Sequence, residues 1–182
     1  MAKAKGTILV SIVKYLRGHK EEARRLLPPA LHHYLDEKIV MSAWYPEADL
    51  IALLRAGLTL AGGASDAVLD AMGRATAHEH HEGIYAHLLA RTGTQTTTSA
   101  LWSSQHDTGV MALHYETDHQ ARLELTGYAH PSREMCAIVK GYIAEALRVG
   151  GATDVRAEEI HCAARGDDHC AWRCTWQGRL GS

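Results

Sequence analysis

The run from Cys136 to Trp176, CAIVKGYIAEALRVGGATDVRAEEIHCAARGDDHCAWRCTW, contains four side chains able to ligate a metal. They are Cys136, Glu159, Cys162 and Cys170, at intervals that one helix and one hairpin would bring together. Ser132 stands at an N-cap position ahead of Met135, Ile138, Val139, Tyr142, Ile143, Ala146 and Leu147, which keep helical spacing. Cys136 then falls in the first turn, where the helix dipole and unpaired N–H groups favour a thiolate. Downstream, Glu159-Ile160-His161-Cys162 and His169-Cys170 flank a turn at Arg165-Gly166-Asp167-Asp168, and a β-hairpin there sets Cys162 beside Cys170.

Thiolates suit Zn²⁺, and a carboxylate completes a tetrahedral shell with no position left for water, so such a site would be structural. Spacing alone leaves two other readings open. The cysteines are small buried hydrophobes, or Cys162 and Cys170 form a disulfide. A C-x7-C spacing is far less diagnostic than paired CxxC knuckles. Cys174 is a poor fifth candidate, roughly 13 Å along the strand from Cys170, and it alternates with Trp172 and Trp176 as a core residue does.

The stretch resembles the end of the 4-vinyl reductase domain, a small-molecule-binding module. Similar domains form the aromatic-effector sensors of some bacterial transcription activators. The match comprises Cys136, the Gly141-Tyr142 pair, Glu159-x-x-Cys162, the Gly166-Asp167 turn and Cys170-x-Trp172, within residues 107 to 177. The resemblance implies a structural zinc held by Cys136, Glu159, Cys162 and Cys170, and a homodimer formed through N-terminal helices. Counting back without gaps from Cys136, it also puts His87 and Tyr115 where aromatic-sensing relatives place a polar contact and an aromatic wall for the effector. Those regulators add an ATPase and a DNA-binding helix-turn-helix. No phosphate loop or DNA-binding motif is visible here, so the expected output is contact with another protein and not with nucleic acid.

The 182 residues suit one domain with a real core, or a ligand-binding domain over 65–182 preceded by a helical, dimerising region over 1–64. A net charge of −2 gives no global field to recruit nucleic acid or an anionic membrane. Four cysteines without secretory spacing point to a reducing cytosol. No apolar run reaches membrane-spanning length. Helices are expected over Lys5–Leu16 and over Glu21–Leu35, the second broken by Pro28-Pro29. Trp44-Tyr45-Pro46 reads as a turn, followed by an amphipathic helix over Ala48–Leu60. Ser65-Asp66 caps a long helix over Ala67–Ala90, and Thr92–Ser99 reads as a polar connection. From Met111 to Thr126 the period becomes two, giving a hairpin that turns at Thr117-Asp118-His119. The sum is an α+β fold, an antiparallel sheet with helices packed on one face.

No nucleophile elbow, phosphate loop or spaced carboxylate pair supports an enzyme. The reading is a non-enzymatic sensor or adaptor with an apolar pocket for a small hydrophobic or aromatic ligand. Two alternatives use the same fold, which haem-based nitric-oxide sensors and vesicle-tethering subunits are thought to share. A ligand-free interaction scaffold is one. A haem sensor is the other, with an axial residue drawn from His78, His81 or His87. Against haem, Tyr128-Ala129-His130-Pro131-Ser132-Arg133 does not reproduce the Tyr-x-Ser-x-Arg propionate motif of those sensors. The cluster His78-Glu79-His80-His81-Glu82 lacks the HExxH spacing of zinc proteases and is read as a solvated or interface cluster.

Overall fold

The computed structural model describes residues 1–63, 65–83 and 95–180. Among them the helices are α1 (Gly6–Gly18), α2 (Lys20–Leu26), α3 (His33–Asp36), α4 (Glu47–Leu60), α5 (Asp66–Glu82), α6 (Gln95–Gln105) and α7 (Arg133–Val149). The strands are β1 (Lys3–Lys5), β2 (Trp44–Pro46), β3 (Val110–Thr117), β4 (Gln120–Thr126), β5 (Thr153–His161) and β6 (Cys170–Gln177). Backbone contacts divide the chain into Met1–Ala64 with Ser104–Thr108, and Ser65–Ser103 with Gly109–Ser182.

In the first unit, Leu9, Ile12, Val13 and Leu16 repeat at helical spacing along α1 and are buried. They join Tyr34, Leu35, Leu50 and Leu53 in one core. The Tyr34 hydroxyl donates to Asp49 Oδ2 at 2.7 Å. Strands β1 and β2 pair antiparallel, Lys3 opposite Pro46 and Lys5 opposite Trp44. The distant segment 104–108 returns to β1, where His106 bridges to Ala4 and the Asp107 N–H donates to the Lys3 carbonyl at 3.1 Å. His106 Nδ1 lies 2.8 Å from Glu47 Oε1, with both residues buried.

The second unit is built on a four-stranded antiparallel sheet in the order β3-β4-β6-β5. Alternation selects its inner face: Met111, Ala121, Leu123, Leu125, Cys170, Trp172, Cys174 and Trp176 are buried. Leu123 pairs with Leu113 on one side and Trp172 on the other, so the apolar side chains run in rows across the strands. Helix α7 covers this face with Cys136, Ile143 and Leu147. Ser132 caps it, its Oγ accepting from the Met135 N–H at 3.1 Å. Helix α5 packs on α7 at backbone distance. A Cβ at Gly73 would strike the Ile138 carbonyl, and one at Gly141 would strike the Asp70 carbonyl.

The expected α+β arrangement is the observed one. Two local expectations change. Trp44-Tyr45-Pro46 is strand β2, because β1 presents a partner edge that a short-range reading cannot see. Residues 95–99, expected as a connection, open α6. The part of the long central helix beyond Gly83 lies outside the described residues.

A buried thiol and carboxylate cluster

Three elements converge on Cys136. The Ser132 cap starts α7 so that Cys136 lies in its first turn, its N–H donating to the Ser132 carbonyl at 3.0 Å. Strand β6 begins at Cys170, whose side chain points to the same inner face as Trp172. Strand β5 contributes Glu159 and Cys162 through an irregularity. Strict alternation would carry the inward row Val155, Ala157, Glu159 on to His161. The register shifts between Glu159 and His161, and as a result His161 is exposed and Cys162 buried. A 3₁₀ turn over Ala163–Arg165 and Gly166 at φ +105° complete the hairpin.

The Sγ atoms of Cys136 and Cys170 are 3.3 Å apart, and Cys162 Sγ lies 3.7 Å from Cys136 Sγ. Ligand atoms of Cys136, Glu159 and Cys162 all lie within 4.8 Å of one another. All four cysteines are free thiols, so the disulfide reading does not hold. Cys174 is wholly buried among the core side chains, and burial pushes its thiol up to about 12. The hydrogen bond from Cys136 lowers the Cys170 thiol to about 7, and the Ala163 N–H adds a second donor at 3.4 Å. The same bond, with burial, raises Cys136 well above the ordinary thiol range. Cys162 is raised by burial and then by the Glu159 carboxylate. The shared contact thus favours a thiolate at Cys170 over one at Cys136. Glu159 Oε1 is buried with no hydrogen-bond partner among the described residues, while Oε2 lies 3.4 Å from Arg165. A buried carboxylate oxygen without a donor is costly unless a cation or proton meets it.

The other candidate residues are placed elsewhere. Tyr115 is half exposed at the end of β3, its ring edge-on to Trp176 with centroids 6.2 Å apart. It lines an open cleft of about 800 Å³ between Tyr115–His119 and Gly178–Leu180. His87 lies outside the described residues. His78 is exposed and 3.4 Å from Glu82. His80 is buried against the Tyr142 hydroxyl at 3.1 Å, and burial lowers its pKa to about 4, so it is neutral. His81 Nε2 is buried and has no hydrogen-bond partner among the described residues. The buried Glu47–His106 pair and the cleft residues His119 and Arg179 have no sequence signal. They meet only through tertiary structure.

No protein-family model matches the chain, and no curated protein does. Solved structures do match it in fold. An H-NOX protein from S. oneidensis in the Fe(II) ligation state has a TM-score of 0.69 at 14% identity, covering 96% of this chain and 97% of that one. An oxygen-binding H-NOX domain related to soluble guanylate cyclases has a TM-score of 0.65 at 12% identity, covering 98% and 97%. A third, from a study of heme distortion in the H-NOX family, has a TM-score of 0.67 at 13% identity, again covering 98% and 97%. The chain therefore has the fold of H-NOX ligand-binding sensor domains.

Zinc as the cofactor is overturned by this comparison. These three neighbours are described with Fe(II), oxygen and heme. Haem makes two demands on the residues present. An iron needs an axial donor, and His81 Nε2 is a buried imidazole nitrogen with no hydrogen-bond partner among the described residues. Propionates need donors, and the residues at the motif position are committed. Tyr128 stands edge-on to Trp102 at 5.2 Å, Ser132 caps α7, and the Arg133 guanidinium lies 3.8 Å from Asp66 and 3.9 Å from Glu159. His81 thus offers an axial donor, whereas the residues at the propionate motif position depart from those sensors.

Proposed function

We propose that this chain is a non-enzymatic sensing domain that binds haem and, through it, a small gas, and passes the bound state to a partner protein. The observation that carries this reading is the likeness to H-NOX domains over 96–98% of the chain. His81 is the residue that would hold the iron, and haem would supply a metal able to bind the gas. A neutral buried His80 beside it, hydrogen-bonded to Tyr142, fixes this turn of α5 against α7. Residues 65–182 form the ligand-binding part of the proposal, and residues 1–64 the surface through which two copies associate.

The test is a hemin titration of purified protein, followed by reduction and exposure to carbon monoxide. A Soret complex saturating at one haem per chain is expected, as is its loss in His81→Ala. Light scattering on the same samples is expected to give two chains per particle. A folded protein that gives no saturable complex overturns the haem reading.

The thiol cluster favours a second reading, in which the 4-vinyl reductase resemblance holds and the ligand is a small hydrophobic or aromatic molecule. On this reading Cys136, Glu159, Cys162 and Cys170 form one ligand set for a thiophilic metal ion. The unpartnered Glu159 Oε1 and the three closely spaced sulfurs support it.

A further inference from the structure

At the end of β6 away from the thiols, roughly 25 Å along the strand, the β3–β4 turn and Gly178–Leu180 face each other across the open cleft described above. Its volume of about 800 Å³ is in the range of small-molecule sites. Tyr115 and Leu180 provide its apolar lining. The Tyr115 ring is half exposed, and its contact with the buried Trp176 indole, at 80° between planes, keeps it in place. An aromatic side chain held this way loses little freedom when a flat ligand covers it.

The charges in the lining are unequal in availability. Glu116 is already met on its own side, by the Gln120 amide and by Arg122 at 3.5 Å. Asp118 is the other acid. Arg179 makes no salt bridge among the described residues, and His119 stands opposite it on the turn. A guanidinium with its fork unoccupied matches a carboxylate through two parallel hydrogen bonds. We propose that this cleft is a binding site for a planar organic carboxylate of one or two rings, with the ring on Tyr115 and the carboxylate on Arg179. The site is separate from the haem reading and does not rest on it.

The experiment is calorimetric titration of the full chain with 2-naphthoate and with its cationic counterpart, 2-naphthylmethylamine. Saturable one-site binding of the naphthoate is expected, with the amine weaker by about tenfold or more. Arg179→Gln is expected to reduce naphthoate affinity by about tenfold, and Tyr115→Ala to weaken both probes. Arg179 is exposed, so its replacement leaves the fold intact, which circular dichroism verifies. His81→Ala is expected to bind naphthoate like the parent, which separates this site from the haem one. The proposal is overturned if naphthoate does not saturate, if the amine binds as tightly, or if Arg179→Gln binds like the parent.

Discussion

Cys162 shows how much one side chain's direction depends on its strand. The spacing Glu159-x-x-Cys162 is legible in the sequence, yet on an unbroken strand positions three apart point to opposite faces. Only the register shift after Glu159 turns both inward, and nothing in the residue types announces it. If the cluster holds a thiophilic metal, Cys162→Ser is expected to lower bound metal and melting temperature together. Elemental analysis of a folded variant that keeps its metal would discard the ligand set. Tyr34 gives a second case. Burial, then the hydrogen bond to Asp49, raises its phenol above the ordinary value of 10.0. The unfolded chain therefore releases this proton first. Tyr34's contribution to stability is whole below about pH 10 and is lost as pH rises through the raised value. Tyr34→Phe should cost about 1 to 2 kcal/mol at pH 8 and flatten the alkaline loss, as urea midpoints at pH 8 and pH 11 would record. An equally steep loss in the variant would assign it to another group.

Helix α7 was the most legible part of the chain, because Ser132, the 3.6-residue period and Cys136 all agree on where it starts. Its partner was not legible. Gly73 and Gly141 look like weak points in helices, costing about 1 kcal/mol each relative to alanine. In the structure each lets one backbone rest on the other. Gly73→Ala or Gly141→Ala should therefore destabilise by about 1 to 3 kcal/mol, since overpacking against a carbonyl outweighs the gain in helix propensity. Gly18→Ala, at the open end of α1 with no atom nearby to clash, provides the contrast. It should be neutral or stabilising by up to about 1 kcal/mol. Chemical denaturation of the three variants decides this, and equal effects at all three positions would refute the contact argument. Strand β2 was missed for a related reason: a three-residue strand is defined by the edge it meets.

The α+β class was legible in the sequence, and the comparison with H-NOX domains narrows it to their fold. The ligand was less accessible. Zinc followed from local spacing together with the 4-vinyl reductase resemblance, whereas the likeness to H-NOX domains spans the chain at 12–14% identity and leaves no motif to read. Chemistry placed by topology is invisible to a residue count. The clearest instance is the segment Ser104–Thr108, which belongs with the first 64 residues. Lys3 and Asp107 exchange backbone and side-chain hydrogen bonds, and His106 sits on Glu47. A single gene crossover near residue 64 would not donate that first unit intact, because the Glu47 carboxylate would arrive without its imidazole and β1 without its bridge. Recombination can exchange this module whole only with two breakpoints, and so lineages that shuffle domains are expected to inherit the two units together.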